Sequence, residues 1–510
     1  SIILEESSKK YPNNTSFIIN NDKITYKQLD DLSNKTANAL IQLGLQKGDK
    51  VALTCPNILY FPIIYYGILK AGGIVVPLNI LLKPSEIAYH IKDSEAKFHF
   101  CFQGSEELPT GKYGYEAFKS CNSCEHFIEI LHELNTKKSQ FTETSSFGEL
   151  ILHQNSDFES YPTEADDVAV ILYTSGTTGQ AKGAQLTHFN MFYNAKTCTE
   201  LFDMSINEKE LIILPLFHSF GQTVMMNATI IKGSSAVLMP RFEPKAALDL
   251  MVKHQITVFA GVPTIYWALL NHPEIDDYAK KIQPFLKLAA SGGAALPISL
   301  LEDFNTKFEV PFLEGYGLSE TSPVACFHHL NKEKKAGSIG TPIWGVSMQI
   351  HNNLGKELPI DEVGEIVIKG HNVMKSYLNR PKETKEAIKN GWFYTGDLGK
   401  KDADGYFYIV DRSKDMIIRG GFNVYPREIE ECIIKHEAVS LVAVIGIDDE
   451  KNGEEIKAFI QLKEGKTCSK KTIIDYCKEH LASYKYPRSI EFVASLPISA
   501  TGKILKRMLK

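Results

Sequence analysis

One stretch of the sequence, Tyr173–Gly183, combines the residue types that bind phosphate groups. It reads Tyr-Thr-Ser-Gly-Thr-Thr-Gly-Gln-Ala-Lys-Gly and begins at the end of an apolar run, Val168–Tyr173, that we predict to be a buried strand. Glycines let backbone N–H groups turn towards an anion, the threonine and serine hydroxyls add donors, and Lys182 adds a positive charge. A Walker A loop differs, because it has four residues between its glycines and then Gly-Lys-Ser or Gly-Lys-Thr. Residue types alone leave a phosphate-binding loop and an ordinary surface turn equally open.

Further motifs rich in glycine, hydroxyl or charged residues follow along the chain. In order they are Pro215–Gly221 (PLFHSFG), Ser291–Ala294 (SGGA), Glu314–Thr321 (EGYGLSET), Tyr394–Asp397 (YTGD), Asp411–Asp415 (DRSKD), Gly420–Asn423 (GGFN) and Ala500–Lys503 (ATGK). Together with Tyr173–Gly183 they resemble, in the same order, the motifs of the adenylate-forming enzymes, a family that includes acyl-CoA synthetases, firefly luciferase and the adenylation domains of peptide synthetases. The resemblance covers essentially the whole chain. Ala181 stands where the family has a loop-stiffening proline, and Ser319 stands where threonine is commoner.

The resemblance implies a site for ATP and Mg²⁺. It assigns the β- and γ-phosphates to the loop residues Thr174, Ser175, Gly176, Thr177, Thr178, Gly179 and Lys182. It places the nucleoside beside Gly292, Gly293, Ala294, Glu314, Gly315, Tyr316, Gly317, Ser319, Asp397 and Arg412. Tyr316 would stack on the adenine, and Asp397 would accept hydrogen bonds from the ribose hydroxyls, as acidic residues do in other nucleotide sites. Mg²⁺, a hard ion that prefers oxygen ligands, would be bound by Thr178 and Glu320.

Catalytic residues are also implied, namely Lys503, His218, Thr178 and Glu320. Adenylation brings together a carboxylate and the α-phosphate of ATP, two anions that repel, so the catalyst must neutralise charge and align the attack. By resemblance, Lys503 bridges these two anions as a mobile point charge. His218 would lie between the acyl and CoA sites.

For the second half-reaction, the resemblance implies a C-terminal domain that rotates about the position of Lys414. A loop would then replace Lys503 beside the adenylate and bind the thiol arm of coenzyme A. This loop consists of Gly420, Gly421, Phe422 and Asn423. Glycine fits this role because a backbone without a side chain can approach a narrow thiol arm closely.

The function that the resemblance implies is that of an ATP-dependent fatty acid–CoA ligase. A fatty acid and ATP give acyl-AMP and pyrophosphate, and the thiol of coenzyme A then gives acyl-CoA and AMP. Ile418 occupies a position where luciferases and hydroxycinnamate ligases have lysine, and Asp415–Pro426 looks most like bacterial medium- and long-chain fatty acid–CoA ligases. The sequence leaves open a fatty acyl-AMP ligase that loads a carrier protein, a ligase for an aryl or amino acid, a luciferase-type oxygenase, and a non-catalytic acyl-nucleotide sensor.

The acyl chain is expected to run beside the segment Phe217–Phe220 of the motif Pro215–Gly221. We expect small residues to leave room for the chain to pass the adenylate. These are Gly292, Gly315 and Gly317. Val262 and Val324 are candidates for the lining of an apolar tunnel.

The secondary structure that must position these residues is predicted to be α/β. Short apolar strands alternate with helical stretches through most of the chain, which favours largely parallel sheets, and the family fold has two such subdomains. From about residue 341 to 411 the sequence is rich in strands and turns, which predicts a small β-barrel or antiparallel sheet. We therefore predict an N-terminal core at 1–411 and a mobile α+β C-terminal domain at 412–510, with its hinge near Lys414.

Composition narrows the class of partner. The chain of 510 residues carries 56 Lys and Arg against 61 Asp and Glu, so it lacks the basic excess of nucleic-acid-binding proteins. Nine cysteines without a disulfide-type spacing favour a reducing, cytoplasmic location. Residues 1–20 lack the pattern of a signal peptide, and the most apolar stretch, Ile58–Leu82, reads as helix, turn and strand instead of a membrane span. Peripheral membrane contact and a homodimer are left open.

Overall fold

The structure, a computed structural model, describes residues 2–133, 138–174, 180–412, 414–449 and 452–509. The fold is mixed α/β, as predicted, with two large sheets, a small antiparallel sheet and a C-terminal α+β unit within these ranges. None of the helices there combines the length and the apolarity that crossing a bilayer requires.

The first large sheet carries two of the nucleotide motifs. From edge to edge its strands are Thr341–Pro342, Val324–Phe327, Phe312–Gly317, Leu288–Ser291, Val258–Gly261, Lys209–Ile212, Ser235–Leu238, Thr15–Ile19 and Asp22–Thr25. The strands from Phe312–Gly317 to Thr15–Ile19 are parallel. Antiparallel partners follow at both edges. Ser291 lies opposite Glu314, so the motifs that start at these residues leave the same edge of the sheet side by side, where α/β folds bind ligands.

The second large sheet positions the glycine-rich loop. From edge to edge its strands are Ser376–Tyr377, Lys182–Thr187, Val168–Thr174, Ile74–Leu78, Lys50–Thr54, Phe98–Phe102, His126–Ile130 and Ser145–Ser146. Strand Ile74–Leu78 is buried throughout, because parallel strands between helices have both faces covered. The predicted helix, turn and strand of Ile58–Leu82 are confirmed as a helix at Tyr60–Lys70, a turn with Gly72 at φ +79°, and this strand.

Helices pack around the two large sheets. They are Ile2–Lys10, Tyr26–Gln42, Tyr60–Lys70, Pro84–Ser94, Thr110–Lys119, Phe147–Ile151, His188–Leu201, Ala228–Lys232, Pro244–His254, Pro263–Leu270, Ile275–Ile282, Ile298–Phe308 and Pro381–Ala387, with a π-helix at Phe220–Asn227 and a 3₁₀ turn at Ser319–Thr321. The helix Tyr26–Gln42 begins with a capping box, in which Thr25 and Gln28 satisfy each other's backbone N–H groups. The π-helix begins inside the motif Pro215–Gly221, and such segments often occur at functional sites.

The small antiparallel sheet forms where the sequence predicted one. Its strands are Val346–His351, Gly364–Gly370, Ile388–Lys389, Trp392–Lys401 and Phe407–Arg412. The last two pair so that Asp397 lies directly opposite Arg412. Cross-strand neighbours of opposite charge attract, so this register favours an ion pair between the two residues.

The C-terminal unit is an α+β structure, as predicted. Its strands are Ile417–Arg419, Phe422–Val424, Val439–Asp449, Gly453–Leu462 and Ser489–Phe492, and its helices are Pro426–Ile433 and Lys470–His480, with a 3₁₀ turn at Lys506–Met508. The buried apolar residues of this unit cluster separately from those of the N-terminal part. Separate cores are a property of domains, and the boundary between residues 411 and 412 stays a prediction.

Glu210 is an ionisable group in the centre of the first large sheet. Its side chain is fully buried, and one carboxylate oxygen accepts a hydrogen bond from the Thr229 hydroxyl at 2.7 Å. Burial raises the pKa of Glu210 to about 8, and the charge of Glu208 adds to the rise. A raised carboxyl pKa means that the folded state retains a proton that the unfolded state loses above about pH 4.3. The free energy of unfolding therefore falls as pH rises from about 4.3 towards 8.

Glu210→Gln should remove this pH dependence while keeping an acceptor for Thr229. We expect the free energy of unfolding of the variant to match that of the wild type near pH 5. Near pH 8 it should be larger than that of the wild type by on the order of 2–4 kcal/mol. Thermal and urea unfolding from pH 5 to 9 measure the difference. Glu200→Gln, at an exposed position of the helix His188–Leu201, controls for the loss of a carboxylate. If the difference in the free energy of unfolding between Glu210→Gln and the wild type stayed constant from pH 5 to 9, the raised pKa of Glu210 would be contradicted.

Candidate active site

A cavity of about 720 Å³ lies between the N-terminal part and the C-terminal unit. Many of the predicted nucleotide and catalytic residues line it. They are Gly293, Ala294, Glu314, Gly315, Tyr316, Gly317, Asp397, Arg412 and Lys503. The structure thus brings together residues from both large parts of the chain, and we refer to this cavity as the cleft.

Tyr316, Asp397 and Arg412 form a connected polar group in the cleft. The Tyr316 hydroxyl donates to one Asp397 carboxylate oxygen at 2.6 Å, and Arg412 Nε lies 3.3 Å from the other. Tyr316 and Asp397 are buried, whereas half of the Arg412 side chain is exposed. Burial and the neighbouring Asp397 carboxylate raise the pKa of Tyr316, so its hydroxyl remains a donor. The half-exposed Arg412 guanidinium is accessible to a ligand in the cleft.

Lys503 reaches the cleft because a tight turn of the C-terminal unit docks against the N-terminal part. The Thr264 hydroxyl donates to the Gly502 carbonyl at 3.0 Å. Gly502 has φ +78°, and a Cβ there would lie 2.4 Å from a methyl carbon of Val262. Only glycine therefore fits this contact. Across the cleft, a Cβ at Gly293 would lie 3.7 Å from Cε of Lys503.

The charge of Lys503 is destabilised by its surroundings. Burial lowers the pKa of Lys503 to about 8, and the nearby Arg412 guanidinium contributes to the fall, while Asp397 and Glu320 act in the opposite direction. A buried cation that is incompletely balanced attracts an anion strongly, because the low local dielectric strengthens the interaction. The surroundings of Lys503 are therefore electrostatically suited to an anionic group of a ligand.

His218 lies close enough to Lys503 to feel its charge. Burial lowers the pKa of His218 to about 3, and the Lys503 charge contributes. His218 Nδ1 accepts a hydrogen bond from the Phe220 N–H at 3.3 Å. At neutral pH the imidazole is thus uncharged, with Nε2 left as the proton-bearing nitrogen. It can orient a ligand but does not supply a positive charge.

A second polar group surrounds Glu320. Its Oε1 accepts hydrogen bonds from the hydroxyls of Thr174 at 3.2 Å and Tyr377 at 2.9 Å. The Lys182 ammonium lies 5.3 Å from the centre of the Tyr377 ring. Burial and the Glu320 carboxylate raise the pKa of Tyr377. Thr174, on one flank of the glycine-rich loop, therefore contacts the predicted metal ligand Glu320, and Lys182, on the other flank, lies over the ring of Tyr377.

The oxygen donors around Glu320 suit a hard cation. Within the described ranges no three acidic, histidine or cysteine side chains group into a metal site. An Mg²⁺ ion bound by Glu320 would therefore need phosphate and water oxygens for most of its coordination, which is how this ion is usually bound in nucleotide sites. The predicted partner Thr178 belongs to the segment 175–179 and lies outside the described residues, as do Ser175, Gly176, Thr177 and Gly179.

The predicted CoA loop lies away from the cleft. The residues Gly420, Gly421, Phe422 and Asn423 form the turn and second strand of a hairpin, and none of them lines the cleft. Gly420 and Gly421 have φ +57° and +84°, which explains glycine at both positions. The Phe422 ring stacks on Tyr484 at 4.7 Å. Lys414, the predicted hinge, is exposed in a turn.

Close packing of the protein itself accounts for glycine at two positions of the cleft wall. The expectation that Gly315 and Gly317 leave room for an acyl chain stays a prediction. A Cβ at Gly315 would lie 2.0 Å from the Phe327 ring, and one at Gly317 would lie 1.9 Å from the Pro323 carbonyl oxygen. The space is occupied by the protein itself. Gly292 is similar, since a Cβ there would approach the Phe220 ring at 3.2 Å.

The motifs did not reveal the residues that dock the C-terminal unit. The Arg427 guanidinium donates to the Ile409 carbonyl at 2.7 Å, and the Arg427 backbone N–H donates to Asp411 at 3.0 Å. Burial raises the pKa of the cleft carboxyl Glu314 to about 7, and the Arg427 charge opposes this rise. No sequence signal marks these contacts, because they join residues of two separately folded parts.

Comparison with known proteins defines the family. The AMP-binding enzyme family matches residues 4–378, and its AMP-binding enzyme C-terminal domain matches residues 428–503. The chain is 37% identical to the long-chain-fatty-acid–CoA ligase of Bacillus subtilis, over 99% of this chain and 93% of that protein. It is 32% identical to the feruloyl-CoA synthase of an Amycolatopsis species, over 95% and 92% of the two chains. The crystal structure of ATP-bound MatB from Rhodopseudomonas palustris is 31% identical, with a TM-score of 0.89 over 99% and 97% of the two chains.

The chain belongs to the AMP-binding enzyme family. The predicted resemblance to adenylate-forming enzymes is thereby confirmed, and so is the prediction of an ATP-dependent acid–thiol ligase. ATP and CoA are substrates of the adenylate-forming ligases.

Arg427→Ala should loosen the docking of the C-terminal unit. A buried hydrogen bond from a charged group contributes about 1.5–3 kcal/mol, so docking should weaken by about 10- to 100-fold. Hydrogen exchange at the backbone of residues 499–503 should speed up accordingly. Arg488→Ala is the matched control, because Arg488 stacks on Tyr486 within the C-terminal unit. Unchanged exchange at 499–503, or equal acceleration throughout strand Val439–Asp449, would rule out a docking role.

Proposed function

We propose that this chain activates a fatty acid with ATP and transfers the acyl group to coenzyme A. The observation that carries the proposal is the Lys503 ammonium in the cleft, facing the Tyr316, Asp397 and Arg412 group. A fatty acid carboxylate oxygen attacks the α-phosphorus of ATP, and pyrophosphate leaves. The CoA thiolate then attacks the acyl carbon, and AMP leaves with the electron pair of the broken C–O bond.

The nucleotide is proposed to bind along the wall of the cleft that the N-terminal part forms. Tyr316 would stack on adenine, and the Asp397 carboxylate would exchange its bond to Tyr316 for bonds from the ribose hydroxyls. Arg412 would turn from Asp397 towards the phosphates. The flanks Thr174 and Lys182 would direct the loop between them to the β- and γ-phosphates. Glu320 and Thr178 would hold Mg²⁺, which would neutralise phosphate charge when bound.

Lys503 is proposed to make the attack favourable. Its ammonium would bridge the acid carboxylate and the α-phosphate, so that two anions approach through a shared cation. In the free cleft the negative charge around Lys503 does not balance its ammonium. The phosphates of ATP would supply negative charge, so they should raise the pKa of Lys503 and keep it protonated. His218, neutral and held by the Phe220 N–H, would orient the acid without adding charge.

The second half-reaction requires another arrangement of the C-terminal unit. The hairpin of Gly420–Asn423 lies outside the cleft, while Lys503 lies within it. We propose that the unit turns about the exposed Lys414, withdraws Lys503, and brings this hairpin to the acyl-adenylate. The glycine turn would then let the thiol arm of CoA approach the backbone closely.

A fatty acid is the acid that the relatives favour. Relatives from four bacteria, at 33–37% identity over almost the whole chain, carry the name long-chain-fatty-acid–CoA ligase. The segment Asp415–Pro426, with Ile418 in place of lysine, supports the same group. An aryl acid is the second candidate, since the feruloyl-CoA synthase at 32% identity spans 95% of this chain.

A panel of acids tests the substrate. The free energy of burying each methylene group is about 0.8 kcal/mol. We therefore expect kcat/KM to rise about three- to fourfold per methylene from acetate to octanoate, and then to level off where the acyl site ends. The measurement is acid-dependent AMP release with and without CoA. Better turnover of ferulate, benzoate or acetate than of every saturated acid from C8 to C18 would favour the second candidate. If acid-dependent pyrophosphate release occurred at the same rate with and without CoA, a fatty acyl-AMP ligase that loads a carrier protein would be favoured.

Lys503→Ala tests the role of the cleft cation. Losing one positioned charge typically costs about 10²–10³ in rate, so pyrophosphate exchange should fall by that factor. Thioester formation from supplied acyl-AMP and CoA should stay near the wild-type rate, because Lys503 is proposed to leave the site in that step. Lys466→Ala, an exposed lysine of the same unit, is the control. Equal loss of both half-reactions would refute a role confined to adenylation.

A further inference from the structure

One helix of the N-terminal part contacts both flanks of the segment 175–179. The helix Pro84–Ser94 ends beside strand Val168–Thr174, which leads into that segment. The Tyr173 hydroxyl donates to Asp93 Oδ2 at 2.9 Å and lies 3.4 Å from the His90 carbonyl. The His90 and Tyr173 rings are 4.4 Å apart. The strand that enters segment 175–179, which we call the entering flank, is therefore held to the helix through Tyr173. The two contacts are a hydrogen bond to a carboxylate and ring packing.

The chain that leaves segment 175–179 at Ala181, which we call the leaving flank, is held by the same helix one turn earlier. The Tyr89 hydroxyl donates to the Ala181 carbonyl at 2.7 Å. Tyr89 and Asp93 are four residues apart, so they lie on one face of the helix. Ala181 precedes strand Lys182–Thr187, which pairs with the entering strand through Thr174 and Lys182.

Arg380 joins the two anchoring residues. Its Nη2 lies 2.7 Å from Asp93 Oδ1 and 3.5 Å from the Tyr89 hydroxyl. Asp93 is nearly buried, with 9% of its side chain exposed, and both of its carboxylate oxygens are engaged. The backbone before Arg380 runs alongside the leaving strand, where Tyr377 lies opposite Ala184. The same segment thus brings Tyr377 to Glu320 and Arg380 to the helix.

We propose that Tyr89 and Asp93 are positioning residues for ATP, and that Tyr89 replaces in this chain the stiffening that a proline in place of Ala181 gives in the family pattern. This proposal rests on the proposed function of segment 175–179 as the phosphate-binding loop. A proline limits the backbone covalently, by fixing φ near −65°. A hydroxyl on a rigid helix limits it from outside, by holding the carbonyl of residue 181. Either restraint fixes the backbone at residue 181 before ATP binds, so less conformational freedom is lost at that residue on binding.

The proposal makes the effect of Tyr89 depend on the residue at position 181. Tyr89→Phe keeps the ring and removes only the donor. In the natural background we expect KM for ATP to rise about three- to tenfold, the change that loss of one net hydrogen bond produces. In an Ala181→Pro background the same substitution should change KM by less than about twofold, because proline already restrains the backbone. Such a difference between backgrounds is the signature of two residues that act on one element.

The experiment is a double-mutant cycle of the wild type, Tyr89→Phe, Ala181→Pro and the double variant. Affinity for a fluorescent ATP analogue and KM for ATP are measured on the full chain, with the melting temperature of each protein. Tyr113→Phe, which removes an exposed hydroxyl on the next helix, is the matched control and should leave ATP affinity unchanged. Asp93→Asn provides a second test, since it keeps the shape but weakens the ion pair with Arg380, and it should also raise KM for ATP.

Each outcome decides the matter. Loss of affinity in the natural background and its absence in the Ala181→Pro background support the proposal. Equal losses in both backgrounds, or no loss with Tyr89→Phe, overturn it. If the proposed function is wrong, the result is different: the wild type binds the ATP analogue but releases no AMP when an acid is added. The binding cycle can still be read in that case.

Discussion

The contact between Gly502 and the wall formed by Val262 and Thr264 is the interaction on which the site depends. It is small, one hydrogen bond and one close approach that only glycine allows, yet it places the Lys503 ammonium inside the cleft. Without it, the N-terminal part would retain Tyr316, Asp397 and Glu320 but would lack the cation that faces them. The turn that presents Lys503 is itself tied by the Ser499 side chain, which accepts a hydrogen bond from the Lys503 N–H. A short segment thus places one buried cation among the charged residues of the cleft.

The electrostatics of the cleft follow from that placement. Burial and Arg412 oppose the charge of Lys503, while Asp397 and Glu320 support it. The balance is incomplete, so a polyanion gains more here than it would against an exposed lysine in water. The same reasoning explains a neutral His218, since a second buried cation beside Lys503 would add repulsion. Around the buried Lys503 the cleft also offers the half-exposed Arg412 guanidinium and the Asp397 carboxylate, which is a hydrogen-bond acceptor.

The sequence predicted the elements well, because these are set by local patterns, whereas the motif residues came from the resemblance to a family and their roles stay predictions. Buried parallel strands such as Ile74–Leu78 are apolar throughout, and the meeting of Ser291 with Glu314 follows from neighbouring parallel strands. The contacts of Tyr377 with Glu320 and of Arg427 with Ile409 could not be predicted, since they depend on which edges and surfaces meet after folding. At Gly315 and Gly317 a small residue is required by Phe327 and Pro323, which crowd the backbone, and this packing could not be predicted from the sequence either.

The parts of the site differ in how firmly they are held, and this difference has a chemical meaning. Asp397 and Arg412 are fixed by strand pairing, and the flanks of segment 175–179 are fixed by a helix and an ion pair. These supports are strand pairs, hydrogen bonds and ion pairs. Lys503 depends on the docking contact between Gly502 and Thr264, which consists of one hydrogen bond and one close approach. In the mechanism that we propose, nucleotide recognition would therefore rest on the more numerous contacts and charge neutralisation on this smaller one. A single cleft would then retain its adenylate while the group that formed it departs.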